Sequence, residues 1–125
     1  MSGLYKVIER IDEKYGKYVS VGSGWEQIVI DCDAELAEID PNYKIMQIKE
    51  KFGDLRFYFE PSDHSNDDLR QRMSSVVAKY EKIASQTCED TGLPGVKMKS
   101  PGGWFKTLNP EHAEKHHHHA RYKII

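Results

Sequence analysis

A chain of 125 residues is long enough for one domain and too short for two independent hydrophobic cores. Hydrophobic residues make up 38% of the chain and charged residues 30%, and seven Tyr, four Phe and two Trp are too many aromatic side chains for a disordered protein. The net charge is only −2. No stretch approaches the ~20 apolar residues of a membrane span, and the N-terminus lacks the apolar core of a signal peptide. We therefore expect a cytoplasmic protein in which Cys32 and Cys88 are both reduced.

The charge is unevenly distributed along the chain. Residues 1–92 carry 12 Lys/Arg against 18 Asp/Glu, a net charge of −6. Residues 93–125 carry 6 Lys/Arg against 2 Asp/Glu, a net charge of +4, together with five of the six His. A basic, His-rich end on an acidic body predicts an anionic partner for that end. The alternative is a solvated tail without a partner.

Two N-terminal segments show apolar residues at helical spacing. The first predicts an amphipathic helix over residues 4–15, which ends at Gly16. Ser23 and Glu26 then form a capping box before a second helix, which ends ahead of Pro41.

Residues 43–60 predict a β-hairpin that organises the fold. In its second strand, over residues 55–60, apolar and polar residues alternate, and Gly53 supplies the positive φ that a tight turn needs. The first strand, residues 43–51, has apolar residues on both faces, which is typical of a covered or central strand. The pattern predicts an α+β domain with a small antiparallel sheet centred on this hairpin and packed by two or three helices.

The second half of the chain begins with a long predicted helix over residues 67–89, capped by Ser65 or Asn66. Its narrow apolar stripe fits packing across the sheet, and a homodimer through residues 67–89 is the alternative. Residues 91–103 are predicted to form a loop, and residues 104–108 a short strand. A short helix then follows Asn109, Pro110 and Glu111 and runs through the His cluster, ahead of a frayed or strand-like end.

The segment from Cys88 to His112 has the layout of a zinc knuckle. Such a knuckle needs a second and a third cysteine, and Thr91 and Asn109 stand in their places, neither of which is a competent zinc ligand. We therefore expect a segment held by apolar packing of Trp104, Phe105 and Leu108, without cofactor.

A rebuilt zinc site is the alternative for the same segment. Cys88, His112 and His116 could converge on a metal, because His112, His116 and His119 would lie at positions i, i+4 and i+7 of one helix. The four consecutive histidines, residues 116–119, are native or a purification-tag remnant; the sequence fits both.

Two surfaces are candidates for binding. The polar face of the hairpin carries Lys49, Lys51, Arg56 and Tyr58, a basic and aromatic set that could stack a base or hold phosphates. Trp104 and Lys106 add a second aromatic–basic pair in the C-terminal segment. The alternative for the hairpin face is solubilising charge on a sheet.

Signals for catalysis are weak. The chain has no glycine-flanked nucleophile turn and no phosphate-binding glycine motif. The acid pairs Asp31/Asp33 and Glu35/Glu38 are expected on a solvated helix face rather than as general acid–base partners. The sequence therefore favours a protein that is not an enzyme.

Three sequence features together resemble a family of small uncharacterised proteins from bacteriophages, prophages and bacteria. They are Ser23-Gly24-Trp25, the KEKFGDLRFY stretch at residues 49–58, and the residues Thr87-Cys88, Gly103-Trp104 and Thr107-Leu108. The family pattern is a KEKFGGLRFY hairpin and a closing Cys-x-x-Cys…Trp…Thr-Leu-Cys-x-x-His knuckle. The resemblance covers about residues 23–112, and the knuckle is degenerate here at Thr91 and Asn109.

The resemblance implies a phage-type accessory protein that binds a host macromolecule in the host cytoplasm, for example to inhibit a defence system. A nucleic-acid or nucleotide-binding module that uses the basic end and the hairpin face is the second hypothesis. A small metal-dependent enzyme is the third. We expect one α+β domain over residues 1–125, with a core in residues 1–87 and a knuckle-like end in residues 88–125.

Overall fold

The computed structural model describes residues 3–125, which form four α-helices and two three-stranded sheets. The helices are α1 (Leu4–Arg10), α2 (Glu26–Ile39), α3 (Asp67–Ala84) and α4 (Pro110–His116). The strands are β1 (Val19–Ser20), β2 (Lys44–Lys51), β3 (Asp54–Glu60), β4 (Val96–Lys99), β5 (Phe105–Leu108) and β6 (Lys123–Ile124). The predicted α+β class is confirmed. Within these residues, no helix combines the length and apolar character needed to cross a bilayer.

The predicted hairpin forms the centre of the first sheet, whose strand order is β1-β2-β3. Phe52 and Gly53 connect β2 to β3 with φ values of 55° and 81°, as a two-residue turn with two positive φ angles requires. A bulge between Ile45 and Gln47 turns both Ile45 and Ile48 into the core, which explains the mixed apolar pattern of this strand. The sheet is not purely antiparallel, because β1 pairs with β2 in parallel.

The main core lies between the first sheet and helices α1, α2 and α3. Its largest fully buried side chains include Trp25, Leu36, Tyr43 and Met73. Helix α3 packs against α2 and β3, so its apolar stripe is used within the chain. The homodimer through this helix stays a prediction. A second, smaller cluster consists of Cys88, Met98, Leu108 and Ala113, with Tyr122 packed against it.

Two predictions at the N-terminal helices are wrong. Helix α1 ends at Arg10 instead of residue 15, because Ile11 pairs with Ile45 and the amide of Asp12 donates to the Ile45 carbonyl at 2.9 Å. The Ser23 capping box does not form. The Ser23 hydroxyl donates instead to the Asp90 carbonyl at 3.1 Å, and Ser23–Trp25 is a 3-10 turn ahead of α2. A contact distant in sequence therefore takes precedence in each case.

Three predictions in the second half of the chain also need correction. Helix α3 ends at Ala84 instead of residue 89, because Thr87 leaves the helix and pairs with Pro94. The predicted loop over residues 91–103 contains β4, which lies between β5 and β6 in the second sheet. His119 is in a 3-10 turn beyond α4 and is exposed. By contrast, the strand at residues 104–108, the Asn109 cap and the strand-like C-terminus are all confirmed.

Asp33 was expected on a solvated face of α2 and is instead only 5% exposed. It accepts hydrogen bonds from the Arg10 guanidinium, at 2.7 Å, and from the Tyr43 hydroxyl. Burial, together with this hydrogen bond, raises the pKa of Tyr43 well above its usual range. Asp33 therefore ties α1 and the start of β2 to α2, whereas Asp31 is exposed as expected.

Candidate functional site

A groove with a cavity volume of about 510 Å³ opens between the turn of the hairpin and the second sheet. We call it the aromatic groove. Its defining side chains are Lys51, Phe52, Trp104, Phe105, Lys106 and Tyr122. Glu50 also lines the groove, where its carboxylate accepts the Gly53 amide at 2.7 Å. The groove therefore combines residues that lie far apart in the sequence and meet only where the two sheets touch.

The hairpin turn is fixed against β4 and β5 by side-chain hydrogen bonding, an ion pair and a close backbone approach. The Thr107 hydroxyl donates to the Gly53 carbonyl at 2.7 Å, and both groups are buried. A Cβ atom at Gly53 would lie 3.3 Å from the backbone of Lys106, so the hairpin turn and β5 approach each other closely. Lys97 adds an ion pair with Asp54 at 2.6 Å. The turn therefore presents Phe52 from a fixed position, with its ring 62% exposed.

Trp104 is the most exposed large aromatic residue on the described surface, at 74%, so the prediction that its apolar packing holds this segment is wrong; Leu108 is buried in the second cluster as predicted. It ends the turn between β4 and β5, where its amide donates to the Ser100 hydroxyl at 3.1 Å and its carbonyl accepts from the Ser100 amide at 2.9 Å. Gly103 gives the turn its positive φ of 89°. A single exposed apolar side chain is common, whereas several that form a contiguous patch are a typical mark of an interaction site.

Two further aromatic rings stand beside Trp104. The rings of Phe52 and Phe105 meet edge to face, with centroids 6.5 Å apart. Lysine ammonium groups lie near both rings, Lys51 at 5.7 Å from the Phe52 centroid and Lys99 at 5.4 Å from the Phe105 centroid. The aromatic surface is therefore edged by positive charge.

A row of side chains continues this surface across the second sheet. Lys99 on β4 is directly opposite Phe105 on β5 and opposite Lys123 on β6, and residues so paired share one face of a sheet. Lys51, Lys99 and Lys123 form no ion pair within 4.0 Å with any acidic side chain among residues 3–125. Their charges remain available to an anionic ligand.

Lys106 has a different role, because its ammonium group lies 3.3 Å from Glu89. Glu89 is only 2% exposed and also accepts the Thr107 amide at 2.7 Å. Burial raises the pKa of Glu89 despite these two partners. Burial would lower the pKa of Lys106, but the charges of Glu89 and Asp90 outweigh it and raise that pKa. Lys106 therefore supports the floor of the groove.

Glu89→Gln should remove a pH-dependent part of the stability. Because the folded-state pKa of Glu89 is raised above its unfolded value of about 4.3, its contribution is fully present below that value and is lost as pH rises through the folded pKa. The free energy of unfolding of the native chain minus that of the variant should therefore fall with rising pH. Urea unfolding between about pH 3.5 and 8 measures this difference, and a difference that rises or stays constant contradicts the prediction.

The predicted binding residues separate into two groups. Lys51, Trp104 and Lys106 line the aromatic groove. Lys49, Arg56 and Tyr58 lie on the two strands of the hairpin, where Lys49 faces Arg56 across the ladder, and they are not among the groove residues.

Sequence reasoning missed five residues of this surface. They are Phe52, Phe105, Tyr122, Lys99 and Lys123. Phe52 is the one with a local signal, since an aromatic residue at a positive-φ turn position is costly and needs a reason.

The two degenerate positions of the knuckle are occupied by side chains that hold turns. The Thr91 hydroxyl accepts the Leu93 amide at 3.1 Å. The Asn109 side chain accepts the His112 amide at 3.1 Å and donates to the Pro94 carbonyl at 2.9 Å. Cys88 is fully buried in the second cluster. Hydrogen bonds and apolar contacts therefore hold together the segment after Cys88 and the start of α4, which a knuckle would join through zinc.

One group of residues has the geometry of metal ligands. Asp90, His112 and His117 each offer one ligand atom, and these atoms lie within 4.8 Å of one another. Both His Nε2 atoms are within hydrogen-bonding distance of Asp90 Oδ2, at 3.0 Å for His112 and 2.8 Å for His117. The predicted metal ligands were Cys88, His112 and His116, and of these Cys88 and His116 do not belong to this group. His116 is exposed, and the centroid of its ring lies 4.7 Å from that of His112.

Comparison with known proteins gave no match to any family model, curated protein or solved structure. The resemblance to small phage and bacterial proteins therefore stays a prediction.

Proposed function

We propose that this chain is a binding protein that holds single-stranded nucleic acid in the aromatic groove. The observation that carries the proposal is Trp104, which is 74% exposed, has its backbone held by hydrogen bonds within its turn, and lines the same groove as the paired rings of Phe52 and Phe105. The free lysines along the same surface supply the second part of the recognition.

The chemistry of unpaired nucleotides matches these two features. Every base has two π-faces, and stacking on an aromatic side chain contributes about 1–3 kcal/mol per base. The phosphates need cations without acidic partners, which Lys51, Lys99 and Lys123 provide. Interfaces with proteins, by contrast, are usually depleted in lysine. The combination of exposed rings and unpaired lysines therefore favours a single strand over an apolar protein surface.

Trp104→Ala should weaken the binding of a labelled oligothymidylate by about 5- to 150-fold, the equivalent of one lost stacking contact of about 1–3 kcal/mol. Fluorescence anisotropy at low salt measures the affinity. The matched control is Tyr18→Ala, which removes a 58% exposed ring outside the groove and should leave the affinity unchanged.

Intrinsic fluorescence adds an independent readout. The chain has two Trp, and Trp25 is fully buried while Trp104 is exposed. Stacking on a base should therefore quench the Trp104 fraction of the emission and leave the Trp25 fraction intact. The Trp104→Ala variant retains Trp25 alone and should show no quenching.

Salt dependence tests the lysines. The logarithm of the affinity should fall linearly with the logarithm of salt concentration, by about 0.7 for each phosphate contact with a single strand. Replacing Lys99 and Lys123 by Gln should make this slope less steep. Absence of binding at low ionic strength, where phosphate contacts are strongest, would contradict the proposal.

The same variants identify the other kind of partner. The resemblance to phage proteins implies a host protein, such as a defence component, in place of a nucleic acid. If oligonucleotides fail to bind, the native chain and the Trp104→Ala variant can each be incubated with nuclease-treated host extract. An acidic protein that the native chain retains and the variant does not would then be the partner of the groove.

A further inference from the structure

We propose that Asp90, His112 and His117 bind one divalent transition-metal ion, with zinc as the best fit. The three residues converge where the segment after Cys88 meets α4, with His112 in its first turn and His117 directly after its last residue. This set shares only His112 with the knuckle positions and contains no cysteine. None of the three lines the aromatic groove, although the ring of His117 meets that of the groove residue Tyr122 at 5.9 Å.

The distances are close to those of a metal site. Zinc bonds to imidazole nitrogen and carboxylate oxygen at about 2.1 Å, which in a tetrahedron separates two ligand atoms by roughly 3.4 Å. The distances from Asp90 Oδ2 to the Nε2 atoms of His112 and His117 are 3.0 and 2.8 Å. Side-chain rotations that open each distance by roughly half an ångström would admit the ion.

The backbone around the three ligands is already fixed. The Asp90 carbonyl accepts the Ser23 hydroxyl at 3.1 Å, which anchors the segment to the turn before α2. The amide of His112 donates to the Asn109 side chain at 3.1 Å, and the amide of His117 donates to the Ala113 carbonyl at 2.8 Å. The ligands therefore need little ordering when an ion binds, which reduces the entropic cost of the site.

The chemical types of the three side chains also fit a cation, since two imidazoles and a carboxylate are a common zinc ligand set. In the metal-free protein, each Nε2 at 2.8 or 3.0 Å from Asp90 Oδ2 donates its proton to that carboxylate. Metal binding moves the proton of each ring to Nδ1, which leaves both Nε2 lone pairs free for the ion.

Three protein ligands of the His/His/Asp kind leave a fourth position of a tetrahedral ion open. The side chains of Asp90, His112 and His117 are 29%, 18% and 26% exposed, so water reaches this position. The site would therefore bind zinc together with a water molecule, and the ion would tie residue 90 to α4.

Zinc chloride titrated calorimetrically into the full, metal-free chain should show one ion per chain. Asp90→Asn keeps the shape of the side chain and removes the anionic ligand, and it should weaken zinc binding at least tenfold. The double variant His118→Ala/His119→Ala is the matched control, because it removes two exposed imidazoles of the same tract and none of the three ligands. It should bind zinc within threefold of the native chain.

Two results would overturn the assignment. One is the absence of zinc binding by the native chain. The other is a control that loses binding while Asp90→Asn retains it, which would make the exposed histidine tract the binding element.

A measurement on the native chain covers the case in which a variant fails to fold. In nuclear magnetic resonance spectra, one equivalent of zinc should shift the ring signals of His112 and His117 and leave those of His118 and His119 in place. Equal shifts of all four rings would contradict a defined site.

Discussion

Replacing Asp33 by alanine should lower the free energy of unfolding by about 3 kcal/mol, the lower end of the cost of breaking a buried charged pair, because the Arg10 side chain is 21% exposed. Asp33 accepts hydrogen bonds from Arg10, at 2.7 Å, and from Tyr43, whose side chain is 1% exposed. The variant leaves the Tyr43 hydroxyl without its acceptor in the core and the Arg10 guanidinium without its counter-charge. Urea unfolding at neutral pH measures the loss.

Asp31→Ala is the matched control for this change. Asp31 is on the same helix, two residues earlier, where it is exposed and accepts a hydrogen bond from Gln27 at 2.9 Å. Its loss should change the free energy of unfolding by no more than about 0.5 kcal/mol. Similar losses in the two variants would show that the network of Asp33 is not what stabilises this part of the fold.

A double-mutant cycle separates the hydrogen bond from the loss of side-chain volume. Tyr43→Phe removes the donor and leaves the ring in place, so the double variant with Asp33→Ala has no orphaned hydroxyl. The double variant should therefore lose less stability than the sum of the two single variants. Strict additivity would mean that the hydroxyl and the carboxylate are not coupled.

The burial of Asp33 also shows where sequence reasoning stops. An acid next to the apolar stripe of an amphipathic helix is usually solvated, and the residues that bury it, Arg10 and Tyr43, lie on other elements. The same holds at Ile11, where the helical spacing is real but a bridge to Ile45 ends the helix after Arg10. Both errors come from contacts between segments that no local pattern encodes.

Elements that depend on local chemistry were predicted well. The hairpin follows from alternation over residues 55–60 and from the turn at Gly53. The last helix follows from Asn109 and Pro110, an N-cap and a residue suited to the first turn. These signals are complete within about ten residues, so the rest of the chain does not overrule them.

The candidate sites depend on distant residues and were predicted only in part. Lys51 and Trp104 were singled out for their type, but nothing in the sequence places one beside the other. The metal-ligand prediction had the correct segment and one correct residue, His112. His117 was missed because helix α4 ends at His116, which turns His117 toward Asp90. Asp90 was missed because it lies 22 residues before His112, too far for any local spacing to link the two.

Gly24→Ala should destabilise the chain by about 3 kcal/mol, at the upper end of the usual cost of overpacking. A Cβ atom at Gly24 would lie 2.7 Å from the Glu89 carbonyl oxygen and 2.5 Å from the Gly92 nitrogen, with the Cys88 carbonyl closer still. All three atoms belong to backbone, which cannot rotate away as a side chain can. The change should therefore push the turn before α2 away from the segment that follows Cys88.

This displacement has a specific consequence in addition to the lost stability. The Gly24 amide donates to the Glu89 carbonyl at 2.8 Å, and the indole of neighbouring Trp25 donates to the Thr87 carbonyl at 2.8 Å. Both hydrogen bonds join the main core to the C-terminal segment. Hydrogen exchange at the Gly24 amide and the Trp25 indole should accelerate in the variant more than exchange in the middle of β2.

Gly102→Ala is the control that separates contact from residue type. A Cβ atom there would be 3.7 Å from the nearest atom, in the Trp104 ring, and Gly102 does not have a positive φ. The substitution should therefore be neutral, or stabilise the chain by up to about 1 kcal/mol because it restricts the unfolded state. Equal destabilisation by Gly24→Ala and Gly102→Ala would contradict the close approach of the two backbones. A loss of stability in Gly24→Ala alone would support this close approach as the junction between two parts of the chain. These parts are the hairpin core and the segment that carries Trp104 and the three potential metal ligands.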